Sequence, residues 1–83
     1  MTTLMDFRVM SFEEQCGVIT FSGDYLTHRT VGDQKVFLYH SNGFYIEVFY
    51  STQKAKVLRI SSFDQRQGLE PYLEKISLSD LGI

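Results

Sequence analysis

Residues 35–50 read KVFLYHSNGFYIEVFY, and they decide the fold. Two runs rich in aromatic and aliphatic residues flank the dipeptide Asn42-Gly43. This dipeptide is the strongest short signal for a β-hairpin, because a type I′ turn requires positive φ at both of its central residues. The stretch therefore predicts two antiparallel strands that are joined by a two-residue loop.

The predicted loop fixes the register of this hairpin. His40 lies opposite Tyr45, and Leu38 lies opposite Glu47. Side chains alternate between the two faces of a strand, and in a surface strand one of the two sets is polar. Both sets are largely apolar here, which indicates that both faces of the sheet are covered.

Two further strands are predicted around the hairpin. Residues 25–31 precede the turn signal Gly32-Asp33, and residues 56–63 follow the polar turn 52–55. Connections this short join neighbouring strands in an antiparallel meander.

A helix is predicted on each side of the meander. Ser11 starts a capping box before a helix at residues 12–21. Residues 69–76 form a second helix, in which Pro71 is tolerable because it falls in the first turn. Residues 1–10 fit a helix or an extended segment. The whole chain is thus predicted to be a single α+β domain with the order α-β-β-β-β-α.

Composition restricts the class of protein and its partners. The chain has 83 residues, 43% of them hydrophobic and 22% charged, which is typical of one globular domain. Its net charge of −2 argues against a nucleic-acid partner. The single cysteine excludes an intrachain disulfide and favours a reducing, cytoplasmic location. The first residues are unlike a signal peptide, and no apolar run approaches the length of a membrane span, so we expect no membrane contact.

A turn centred on residues 53–54 extends the register to the fourth strand. It places Ile60 beside Glu47, and it places Leu58 beside Phe49. What we name the Glu47 face then carries Val36, Leu38, His40, Tyr45, Glu47, Phe49, Leu58 and Ile60. The opposite one, the Tyr39 face, carries Phe37, Tyr39, Phe44, Ile46, Val48, Tyr50, Val57 and Arg59. Leu26 and His28 stay unassigned, because the length of the first loop decides their face.

Two short helices can cover about one face of such a sheet. We therefore expect both helices on one face and a second copy of the chain on the other, since soluble monomers seldom expose a large apolar patch. The alternative is one helix on each face. The residues expected in the dimer interface are Phe37, Tyr39, Ile46, Val48, Tyr50 and Arg59.

Three side chains, His28, His40 and Glu47, are the candidates for catalysis or for binding a metal ion. Their spacing is not typical of a metal site. Cys16 could act as a nucleophile beside one of the histidines, but a lone cysteine on an apolar helix face is usually a small hydrophobic residue. The sequence thus predicts no catalytic residue, no cofactor and no metal ion.

The predicted function is a non-enzymatic, homodimeric interaction module. A binding domain for a small apolar ligand between helices and sheet is the second interpretation, and an enzyme that uses His28, His40 or Glu47 is the third. The run NGFYIEVF has some likeness to an RNA-binding strand, but Asn42 and Tyr45 replace its basic and small residues, and Glu47 would repel phosphates.

Glu47 is the one acidic residue in the hairpin. A buried carboxylate without a partner would keep its proton, and its pKa would be raised. A cationic partner would reverse that effect. We expect a partnered carboxylate, with Arg29 or His40 as the partner.

Three segments resemble a family of small uncharacterised bacterial proteins that is seen mainly in Bacteroidetes. These segments are VFLY at 36–39, GFYIEVFY at 43–50 and LEPYLEKI at 69–76. The resemblance implies a bacterial, cytoplasmic setting, and it carries over no activity and no site residue.

Overall fold

The computed structural model of the protein describes residues 2–73. The four strands form one antiparallel sheet in which each strand lies beside the next one along the chain, so the predicted meander and the α+β class are confirmed. The elements are α1 (Leu4–Arg8), α2 (Phe12–Ser22), β1 (Asp24–Val31), β2 (Gln34–Ser41), β3 (Phe44–Ser51), β4 (Lys56–Phe63) and a 3₁₀ helix (Arg66–Tyr72).

Capping boxes start both N-terminal helices. The Glu14 backbone N–H donates to Ser11 Oγ at 3.2 Å, and the Ser11 N–H donates to Glu14 Oε1 at 3.1 Å. The same arrangement of Thr3 and Asp6 begins α1 and makes the ambiguous N-terminal residues helical. The predicted helix at 12–21 is thus confirmed and extends by one residue.

The C-terminal helix differs from the prediction. An α-helix was expected at residues 69–76, and the chain forms a 3₁₀ helix over Arg66–Tyr72 instead. Gly68 and Pro71 both lie inside this segment, and neither residue favours a continuous α-helix. Residues 74–76 of the expected helix lie outside the described residues.

The β2–β3 hairpin has the predicted register. His40 pairs with Tyr45, and Leu38 pairs with Glu47. Asn42 and Gly43 have φ values of 51° and 87°, as a type I′ turn requires.

The register of β4 differs from the prediction beyond its first two residues. Tyr50 pairs with Val57, and Phe49 then pairs with Arg59, so Leu58 is the extra residue of a β-bulge. The expected pairs of Glu47 with Ile60 and of Phe49 with Leu58 are therefore wrong. Beyond the bulge every side chain changes face, which moves Arg59 to the Glu47 face and Ile60 to the Tyr39 face.

The loop after β1 and a second bulge decide on which face of the sheet each side chain of β1 lies. Val31 pairs with Gln34 around a two-residue loop, and the register shifts between Tyr25 and Thr27, where Leu26 is the extra residue. His28 then lies opposite Phe37 on the Tyr39 face, whereas the next residue, Arg29, lies on the Glu47 face.

Helical elements pack on both faces of the sheet. On the Tyr39 face the fully buried Phe7 of α1 contacts Phe44 and Ile46, and Val18 and Ile19 of α2 pack against the same cluster. The expectation that both helices share one face is wrong, and the alternative of a helix on each face is what the structure has. On the Glu47 face the 3₁₀ helix completes a core cluster of Leu38, Tyr45, Leu69 and Tyr72.

The helices within residues 2–73 lack the combination of length and apolar character that a membrane-spanning helix needs.

Candidate functional site

Five rings form a continuous cluster on the Tyr39 face, and we call them the aromatic surface. Tyr25 lies 5.7 Å from Tyr39 and 6.4 Å from Phe37, measured between ring centroids. The Phe37 ring also contacts His28 at 5.9 Å and Tyr50 at 6.3 Å. The tilted and edge-on angles between these rings are those that aromatic pairs prefer.

The aromatic surface extends beyond the helices that cover this face. Tyr39 is the member that packs against the Phe7 cluster as a partly buried hydrophobic residue. Tyr25 is 52% exposed, and its hydroxyl forms a hydrogen bond of 3.0 Å with His28 Nδ1. His28, Phe37 and Tyr50 are half-buried. The rings are therefore held in place by one another, and part of the cluster remains in water.

The residues expected in the dimer interface separate into two groups. Phe37, Tyr39 and Tyr50 belong to the aromatic surface. Ile46 is fully buried in the Phe7 cluster, and Val48 is half-buried against it, so the helices already cover both.

Arg59 is excluded from this face by the bulge in β4. Its guanidinium carbon lies 3.9 Å above the centre of the Phe49 ring, on the Glu47 face. Tyr25 and His28 take part in the aromatic surface instead. The sequence could not place Tyr25 because the bulge at Leu26 leaves no mark in the composition of β1, and it could not place His28 because the length of the first loop decides its face.

A polar cluster occupies the Glu47 face. Glu47 Oε2 accepts hydrogen bonds from Tyr72 Oη at 2.7 Å and from Arg29 Nη2 at 3.3 Å. The Arg29 guanidinium carbon lies 5.4 Å from the centre of the Tyr72 ring. The Glu47 side chain is only 13% exposed, so these two donors replace most of its water.

The prediction that Glu47 has a cationic partner is confirmed, and that partner is Arg29. His40 packs its ring against Tyr45 at 5.1 Å instead. Tyr72 was not expected as a donor, because it is far from Glu47 in the sequence and only the docking of the 3₁₀ helix brings the two together.

Burial raises the pKa of Tyr72 far above its ordinary value, and the hydrogen bond to Glu47 adds to this rise. Arg29 opposes it only in part. Tyr72 thus stays protonated and acts as a hydrogen-bond donor at neutral pH. A protonated phenol is a poor general base at neutral pH. The hydrogen bond from Tyr72 to Glu47 instead holds the 3₁₀ helix on the sheet.

The three candidate catalytic residues do not come together. His28 lies on the Tyr39 face beside Phe37, whereas His40 and Glu47 lie on the opposite face. Cys16 is a half-buried residue of α2. Within residues 2–73, no group of three or more His, Cys, Asp or Glu side chains could hold a metal ion.

No protein-family model, curated protein or solved structure matches the chain. Function is therefore inferred from the chemistry of its surfaces.

Proposed function

We propose that this protein is a small, non-enzymatic interaction module that acts as a homodimer through its aromatic surface. The observation that carries the proposal is a chain of five touching rings, with Tyr25 at 52% exposure, on a part of the sheet beyond the helix cluster. Tyrosine and phenylalanine are enriched at protein interfaces, and a contiguous apolar patch in water is costly.

A second copy of the chain suits this surface because a two-fold interface sets each patch against itself. Any charge in the patch would then face the same charge of the other copy. The Tyr and Phe rings of this surface carry no charge at neutral pH, so they cause no such repulsion. Tyrosine hydroxyls both donate and accept hydrogen bonds, so they can pair with their own kind across the symmetry axis.

The setting of the module is part of the same proposal. The single cysteine and the resemblance of three segments to small bacterial proteins support a bacterial, cytoplasmic origin.

Light scattering after size exclusion tests the proposal with one variant and one matched control. Phe37→Glu places a charge at the centre of the ring chain, and we expect it to convert a dimer into a folded monomer. Phe21→Glu makes the same change on α2, where Phe21 is 94% exposed, and we expect it to leave the dimer intact. A wild-type chain that is monomeric at tens of micromolar would overturn the proposal, as would a Phe37→Glu variant that remains dimeric.

A further inference from the structure

An open cleft of about 820 Å³ separates α1 from the segment that joins β4 to the 3₁₀ helix. Leu4, Met5 and Phe63 contribute apolar lining, and Arg8 and Asp64 contribute opposite charges. The volume lies within the range of sites that bind small molecules.

The aromatic part of the lining is fixed in place. The Phe63 ring stacks on Tyr45 with centroids 5.3 Å apart and an angle of 23° between the planes. On another side it packs against Gly68, where an added Cβ would collide with the ring. Phe63 therefore offers the cleft a rigid apolar surface that needs no ordering when a ligand binds.

The cationic side chain of the cleft, Arg8, is also held in place by hydrogen bonds. Arg8 Nη2 donates to the Ser62 carbonyl oxygen at 3.1 Å, and Arg8 Nε donates to Ser62 Oγ at 3.4 Å. A guanidinium has five N–H groups, so the remaining ones are available to a ligand. A guanidinium anchored in this way is suited to a carboxylate, which it can bind with two parallel hydrogen bonds.

Asp64 and Arg8 do not form an ion pair with each other. Within residues 2–73 the one ion pair is that of Arg29 with Glu47. The cleft thus offers a cation and an anion that are outside that ion pair, together with an apolar surface. These three features match a ligand that has a carboxylate, an ammonium group and an apolar side chain.

We propose that this cleft binds a free amino acid with an apolar side chain. Arg8 binds the carboxylate, Asp64 binds the ammonium group, and the side chain packs on Phe63, Leu4 and Met5. The inference is independent of dimer formation, because none of these residues belongs to the aromatic surface.

Backbone amide NMR of the full chain tests the inference, with L-phenylalanine as the probe. We expect saturable shifts at the amides of Arg8, Asp64 and Gly68. N-acetyl-L-phenylalanine lacks the ammonium group and L-phenylalaninamide lacks the carboxylate, so each should bind at least about tenfold more weakly, the cost of losing one charged hydrogen bond.

Two variants test the role of each charged side chain in the cleft. Arg8→Gln and Asp64→Asn should each weaken binding of L-phenylalanine by about tenfold or more. Arg59→Gln removes a cation on the Glu47 face of the sheet and should leave the affinity for L-phenylalanine unchanged. Asp64→Asn keeps the test decisive if loss of Arg8 unfolds α1. Absence of saturable shifts, equal binding of the blocked analogues, or unchanged binding by Asp64→Asn would each overturn the inference.

Discussion

Glu47 is a carboxylate in the middle of an apolar strand, and its two donors come from distant parts of the chain. Arg29 lies in β1, and Tyr72 lies in the 3₁₀ helix. The cationic partner could be foreseen from the sequence, because a nearly buried carboxylate is costly without one. Tyr72 could not, because its contact depends on how the 3₁₀ helix docks.

Replacing Glu47 by glutamine should destabilise the protein. The substitution keeps the size of the side chain and removes the charged carboxylate to which Arg29 and Tyr72 donate hydrogen bonds. We expect the free energy of unfolding to fall by roughly 1–3 kcal/mol at neutral pH, as for hydrogen bonds to charged groups. Urea unfolding of both proteins at pH 7.5 measures the change. A variant more stable than the wild type would mean that the partners do not compensate the burial of the carboxylate.

Tyr72 gives stability a dependence on alkaline pH. Its pKa is raised in the folded protein, so its contribution is fully present below the pKa of the unfolded chain, which is about 10. Above that pH the unfolded chain loses the phenol proton while the folded protein keeps it, and stability falls.

The variant Tyr72→Phe isolates this effect from the other tyrosines and lysines. It should be less stable than the wild type at pH 8, because it lacks the hydrogen bond to Glu47. The gap between the two proteins should narrow as the pH rises above about 10. Urea unfolding monitored by circular dichroism follows the gap, and one that stays constant to pH 11 contradicts the raised pKa.

At the scale of the elements, the two β-bulges determine which side chains share a face. Asn42-Gly43 made the central hairpin predictable, since turn chemistry specifies its register. The bulges at Leu26 and Leu58 add one residue to a strand without changing its composition, so no pattern indicated them. The bulge in β4 is the reason that Arg59, which was expected in the interface, lies on the Glu47 face. The bulge in β1 determines where Tyr25 lies, and the two-residue loop after β1 determines where His28 lies.

Gly68 controls how closely the 3₁₀ helix approaches the sheet. An alanine there would push its Cβ into the Phe63 ring, which Tyr45 holds from another side. We expect Gly68→Ala to destabilise the protein by about 1–3 kcal/mol, the usual cost of overpacking.

Gly17 provides the matched control for this substitution. It lies inside α2 with nothing within 4 Å of an added Cβ. Gly17→Ala should stabilise the protein by about 0.5–1 kcal/mol, because alanine favours a helix interior. Urea unfolding compares the two variants. Equal effects from both would show that the contact with Phe63 does not limit the packing of the 3₁₀ helix.

At the scale of the whole molecule, charge argues against nucleic acid as a partner. The net charge is −2, and Glu47 lies in the middle of the aromatic strand β3. Fluorescence polarisation with random DNA and RNA at low salt should show no binding tighter than about 10⁻⁶ M, the tight end of ordinary non-specific affinity. Salt-sensitive binding below that value contradicts this expectation.

The proposed homodimer brings two copies of the chain together through the aromatic surface. An isotope-filtered NMR experiment on an equal mixture of labelled and unlabelled protein detects only contacts between copies. We expect such contacts between the rings of Tyr25, Phe37 and Tyr50 and the same rings of the other copy. Contacts between copies that involve α2 around Phe21, or no contacts at all, would contradict it.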